Sequence, residues 1–147
     1  MSDIVEMSLT EVADAIQSKK VSSVEATQAC INQVEAWQPK VNAFISFDPE
    51  YALEQAKAAD HDLAAGNVRG PLHGVPLAHK DLFYRDGKRT TCASKILGDL
   101  TPDYDATVLR RLADAGALHL GGLNMSELAM GAAGRNEHFG HCRNPWN

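Results

Sequence analysis

The residue with the most chemical potential is a lysine. It follows a short apolar run, Val75-Pro76-Leu77-Ala78, in the string His79-Lys80-Asp81. A lysine at the end of a strand is ordinarily a solvated surface residue. Held in a dry site it behaves differently, because burial lowers a lysine pKa by up to about 3–5 units, or roughly 4–7 kcal/mol. A neutral amine at physiological pH is a base. The local residues leave both readings of Lys80 open. The other candidates are weaker. His138, His141 and Cys142 outline a metal set but lack a second ligand pair, so they read as loop residues and no metal is expected. His73 and His79 read as polar packing. Gly121-Gly122 lacks the glycine–lysine spacing of a phosphate loop, and no cofactor is expected. No serine precedes a lysine by three positions, and none sits in a Gly-x-Ser-x-Gly elbow. Ser94 and Ser126 read as loop or cap residues, with substrate contact as the alternative.

The elements that would position Lys80 divide the chain at about residue 66. Residues 1–66 read as a helical region. Ser8 caps a helix from Leu9 to about Lys19, with Leu9, Val12, Ala13 and Ile16 at helical spacing. Ser22 and Glu25 form a capping-box pattern ahead of a second helix, which Pro39 is expected to end. Val41–Phe47 predicts a strand or extended connector. Asp48-Pro49 starts a third helix, with proline in the first turn where its missing N–H costs nothing, and Gly66 ends it.

Residues 67–147 change character, with Gly70, Pro71, Gly74 and Pro76 around the apolar run. Asp105 is expected to cap a helix carrying Val108, Leu109 and Leu112, closed by Gly116. Ala117–Leu120 predicts a buried strand, and Asn124 with Glu127 a further helix to about Met130. Strand, helix, strand in this order predicts an α/β fold with a parallel sheet.

Bulk properties exclude several classes. The chain has 147 residues, 44% of them apolar and 22% charged, as expected of a soluble globular protein. Its net charge of −5 argues against a direct nucleic-acid partner. No stretch approaches the ~18 apolar residues of a membrane helix, and the start lacks a signal-peptide pattern. The three cysteines, Cys30, Cys92 and Cys142, have no disulfide or zinc-ribbon spacing, which suits a cytoplasmic protein with reduced thiols.

The string Gly70-Pro71-Leu72-His73-Gly74-Val75-Pro76-Leu77-Ala78-His79-Lys80-Asp81 resembles the opening block of the amidase-signature family. The likeness continues through Thr90-Thr91-Cys92-Ala93-Ser94, Tyr104-Asp105-Ala106-Thr107-Val108, Ala115-Gly116-Ala117, Asn124-Met125-Ser126-Glu127, Phe139-Gly140 and Arg143-Asn144-Pro145-Trp146. The resemblance implies the amino-terminal portion of the amidase-signature α/β fold, a mixed sheet core flanked by helices. It implies hydrolysis of a linear carbon–nitrogen amide through an acyl-enzyme. Family members use a Ser–cis-Ser–Lys triad, in which Lys80 would be the terminal base. Leu128, Ala129, Met130 and Gly131 fall where relatives line the acyl pocket, although core packing would explain them equally.

The family's two serines follow the Asn-Pro-Trp segment, after which this sequence has only Asn147. The chain is therefore expected to be truncated, inactive alone and partly molten or self-associating. Its expected partners are a small-molecule amide and either the missing carboxy-terminal portion or a second polypeptide of an assembly. Two alternatives stand beside this reading. One is a piece of the A-type component of a tRNA-dependent amidotransferase, and the other is a non-catalytic remnant or interaction module. Two departures stand out: Gly122-Leu123 replaces a common lysine-threonine, and Cys92-Ala93 replaces a common alanine-glycine.

Overall fold

In the computed structural model, residues 4–146 are described. The elements in chain order are α1 (Leu9–Gln17), α2 (Ser23–Val41), β1 (Phe44–Phe47), α3 (Pro49–Ala64), β2 (Pro76–Lys80), α4 (Thr107–Asp114) and β3 (Leu118–Leu123). They fall into two compact units that interleave in sequence. The first takes residues up to Glu35, Asp48–Leu77 and Arg111–Leu120. The second takes Ala36–Phe47, Ala78–Arg110 and Gly121 onward.

The first unit is built from capped helices on an aliphatic core. At α1 the Ser8 side chain and Glu11 exchange hydrogen bonds with each other's backbone N–H, which satisfies two otherwise free donors. Ser22 and Glu25 do the same ahead of α2. Asp60 reinforces that start from α3, its two carboxylate oxygens accepting from Ser23 N at 2.7 Å and Val24 N at 3.1 Å. Asp48 caps α3 through Tyr51 N, with Pro49 in the first turn. The buried faces meet as two clusters. Ala13, Ile16, Ala26 and Val75 form one, and Ala56, Ala59 and Leu118 the other. Alanines contribute four of these seven residues. The turn past α4 also packs tightly: Gly116 has φ +92°, and a β-carbon there would lie 2.7 Å from His73 Cα in the turn before β2.

The sheet has the order β1-β3-β2. β1 runs antiparallel to β3, pairing Phe44 with Leu123, Ser46 with Gly122 and Phe47 with Gly121, with a register shift between Phe44 and Ser46. β2 runs parallel to β3. Val75 O accepts from Leu118 N at one end, and Leu123 O accepts from Asp81 N at the other, so residue numbers rise together. The sheet is mixed, as the resemblance implied, and not wholly parallel as the element order alone predicted; α-helices precede and separate its strands.

Three local expectations are corrected. Pro39 does not end α2, which continues to Val41. A proline removes one hydrogen bond, but here it stands in the last turn, where little helix remains to disrupt. The turn closes instead at Asn42, in the left-handed region with φ 49°. Asp105 does not cap α4, because its Oδ1 accepts from Asp86 N at 2.9 Å. The expected helix to Met130 is only a 3-10 turn, Glu127–Ala129, since Leu128 is left-handed with φ 51°. Asn124 is not available to cap it. Its side chain donates to Asn42 O and Gly140 O and accepts from Met125 N.

Candidate active site

Lys80 is the last residue of β2, and it is exposed. Its neighbours are not. Asp81 points inward, 4% exposed, and its Oδ2 accepts from both the backbone N–H and the hydroxyl of Thr91. The Asp81 carbonyl accepts from Cys92 N at 2.9 Å. These bonds fasten residues 90–94 to the strand end that carries Lys80. On the other side of Lys80, His79 Nδ1 lies 3.1 Å from the Lys80 carbonyl. A carbonyl only accepts, so this nitrogen carries the hydrogen. Burial pushes the His79 pKa down and favours its neutral form.

The glycine pair in β3 is explained by the same corner. A β-carbon on Gly121 would fall 2.5 Å from Ser46 O, and one on Gly122 would fall 2.7 Å from Ser46 Oγ and 3.1 Å from Asp81 Oδ1. The departure noted at Gly122 therefore sits directly over the buried Asp81 carboxylate, with Ser46 Oγ accepting from Gly122 N at 3.2 Å.

A second segment, 126–131, is tied to the first. Leu128 N donates to Cys92 O at 2.9 Å, and Ser94 donates its hydroxyl to Glu127 Oε1 at 2.7 Å. Both segments contain adjacent non-glycine residues in the left-handed region. Cys92 and Ala93 have φ 49° and 53°, and Leu128 and Ala129 have 51° and 59°. Each such residue costs about 1–2 kcal/mol and persists where surroundings hold it. The glycine common in relatives at position 93 suits this backbone; here Ala93 adopts it and is fully buried.

The candidate pocket residues Leu128, Ala129, Met130 and Gly131 are all exposed, Met130 at 87%. Lys80 and this segment lie in the same unit, joined through Asp81, Cys92 and Leu128. Asn136 locks the arrangement from beneath. Its amide donates to Ala93 O at 2.7 Å and Met125 O at 3.3 Å, and its oxygen accepts from His138 N and Phe139 N, both at 2.8 Å.

Sequence reasoning overlooks Asn136 altogether and treats Asp81 only as part of a motif. The local half of its role, an asparagine oxygen accepting from the N–H groups two and three residues on, was a turn signal open to sequence reading; its amide bonds to Ala93 and Met125, 43 and 11 residues away, were not. Ser126 is buried, and its hydroxyl has no hydrogen-bond partner among the described residues. It lies 3.0 Å from where a β-carbon on Gly131 would stand, which accounts for glycine there. The histidines that outline a metal set serve loop contacts. His138 Nε2 meets Glu127 Oε1 at 3.1 Å, and His141 Nδ1 lies 3.0 Å from both Asn136 N and Asn136 O.

A mixed sheet with flanking helices and a lysine at a strand's carboxyl end is the amino-terminal portion of the amidase-signature fold. A family model described as Amidase matches residues 25–147, and the chain belongs to that family. It is 48% identical over 145 residues to the A subunit of glutamyl-tRNA(Gln) amidotransferase from Geobacter metallireducens, covering 99% of this chain and 30% of the relative. The same-named protein of Azotobacter vinelandii is 50% identical over 141 residues, covering 96% of this chain and 29% of the relative. Among solved structures, native peptide amidase from Stenotrophomonas maltophilia superposes with a TM-score of 0.86 at 33% identity, covering 97% of this chain and 30% of that one. A structure described as a vestigial protein complex that reveals the origins of an s-triazine catabolic enzyme superposes with a TM-score of 0.90 at 37% identity. It covers 96% of this chain and 31% of that one. The chain thus spans about 30% of the length of the curated relatives it matches. No helix of the described residues is long and apolar enough to cross a membrane.

Proposed function

We propose that this chain is the lysine-bearing portion of an amidase that cleaves a linear carbon–nitrogen bond through an acyl-enzyme. Lys80 is the terminal base, and Leu128, Ala129, Met130 and Gly131 line the acyl pocket. The observation that carries this reading is Lys80 at the carboxyl end of β2, with Asp81 and Thr91 bracing the strand end beside it. A base near a serine is what converts that weak nucleophile into a reactive one. Residues 67–147 carry the chemistry and 1–66 support it, in a cytoplasmic setting with reduced thiols. The partners are a small amide and the remainder of the amidase sequence.

On this reading the nucleophile is not one of the serines of residues 1–147: the Ser94 proton is directed to Glu127, and no serine here stands three residues before a lysine or in a Gly-x-Ser-x-Gly elbow. We expect no covalent serine adduct when the chain alone meets a fluorophosphonate probe. Joined to the remaining two thirds of an amidase sequence, it is expected to hydrolyse amides. Lys80→Met is then expected to reduce kcat by about 10²–10⁴-fold. Unchanged turnover in that variant sinks the mechanism.

The second reading is a piece of the A-type component of an amidotransferase, favoured by relatives bearing that name at 45–50% identity. Amide hydrolysis that rises only when a second polypeptide of such an assembly is added would select it. A stable monomer that restores no activity with either partner would select the remnant instead.

A further inference from the structure

Glu127 is held from two sides. Ser94, fully buried, donates its hydroxyl to Oε1, and His138 Nε2 meets the same oxygen at 3.1 Å. A carboxylate only accepts, so Nε2 carries the hydrogen. Ser94 Oγ is itself fixed by accepting from Ile96 N at 3.2 Å. The carboxylate stands between serine and imidazole, the wrong order for activating a nucleophile, which needs the imidazole in the middle. The three groups therefore hold something in place. The next two residues, Leu128 and Ala129, adopt left-handed backbone that a β-carbon disfavours. That backbone turns Leu128 and Met130 outward, 44% and 87% exposed. From Leu128 to Gly134 the sequence is Leu-Ala-Met-Gly-Ala-Ala-Gly, with no charge and no side-chain hydrogen-bonding group.

We propose that His138 is a positioning residue: through Glu127 it holds Leu128–Gly131 as the wall of an acyl pocket that selects amides of apolar acids. This rests on the amidase reading above. The restraint comes from a third segment, since His138 is itself held by Asn136, which ties residues 136–139 to Ala93 and Met125. An anionic acyl group would find no cation along 128–134, and an aliphatic one finds five apolar side chains, three of them in Leu128–Gly131.

Two measurements test this. In the chain itself, amide hydrogen exchange at Leu128–Met130 is expected to rise about tenfold in His138→Ala, with amides of α2 unchanged, and to return to within about threefold of wild type in His138→Gln, which retains a donor. Unchanged exchange, or a rise spread over every amide, overturns the positioning role. In the protein completed with the rest of the amidase sequence, hexanamide is expected to be preferred to acetamide and to glutaramate. There His138→Ala is expected to lose about tenfold in kcat/KM on hexanamide, mainly through KM, against about twofold on acetamide. Equal loss on all three amides, or a preference for glutaramate, overturns the selectivity. Absence of turnover in the completed wild-type protein would instead sink the amidase reading, and the exchange result would still decide the role of His138.

Discussion

Each of the two units is held together by a different kind of force. In the first, alanine, isoleucine and leucine from α1, α2, α3 and the start of β3, with Val75 just before β2, form the buried clusters, and the helix starts are closed by side chains three residues away. In the second, the most telling buried groups are polar: Asp81, Thr91, Ser94, Asn124 and Asn136. Those side chains hold two pairs of non-glycine residues in left-handed backbone, beside the strand that ends in Lys80. Hydrophobic burial is non-directional and tolerates small shifts. A hydrogen-bond network is directional, so it can hold loops in shapes they would not choose. A catalytic site needs the second kind of support.

Removing the Asn136 side chain should break that contrast most severely. Asn136→Ala leaves two buried carbonyls and two N–H groups without their partner, and we expect a loss of about 3–5 kcal/mol. Hydrogen exchange should place the loss in residues 90–94 and 124–140, with α1 and α2 protected as before. A uniform loss across both units would mean that they are one cooperative body. A smaller effect is expected in the first unit from Asp60→Ala, which strips two donors at the start of α2 of their acceptor. The expected cost is about 1–2 kcal/mol by chemical denaturation. If it matches Asn136→Ala, the distinction between local caps and long-range polar locks fails.

Lys19 sharpens the comparison from the other direction. It is exposed and left-handed, φ 59°, just past the end of α1. Lys19→Gly is expected to stabilise by about 0.5–1 kcal/mol, the relief of a β-carbon in that conformation less the entropy glycine loses on folding. A loss of stability would show that the lysine side chain contributes a contact of its own.

Acid should produce the smallest and most evenly shared change. Glu11 and Glu25 have lowered pKa values because the backbone N–H groups of Ser8 and Ser22 favour the charged form. Glu127 is lowered chiefly by the Ser94 hydroxyl. Folding therefore gains from each of them above the ordinary carboxylate pKa. That gain disappears as pH falls through their lower folded values. Thermal melts should show a gentle decline from about pH 5 to pH 3, reduced in a Glu11→Gln, Glu25→Gln double variant. A melting temperature that rises over this range would contradict the sign.

The capping boxes at Ser8–Glu11 and Ser22–Glu25, the Asp48-Pro49 start and the Gly66 stop were all legible, because each is a relation across three or four residues. The ordered motifs around Lys80 were legible for a different reason: they match a family pattern. Pro39, Asp105 and the segment 124–130 mislead a reading of the sequence. Pro39 does so because its place in the last turn blunts its effect. The other two carry a locally valid signal that a distant partner overrides. Asp105 looks like a cap until Asp86, 19 residues away, takes its carboxylate. Asn124 looks like a cap until it reaches Asn42, 82 residues away.

What the sequence determined by itself was where the first three helices begin, which faces are apolar and that a lysine closes the apolar run of residues 75–78. These depend on neighbours along the chain, and short-range hydrogen bonds form with little loop closure to oppose them. The tertiary structure decided the left-handed loops at 92–93 and 128–129, the burial of Asp81 over Gly122 and the enclosure of Asn136. No residue in those places prefers its conformation in isolation, so only partners brought together by folding can hold it there.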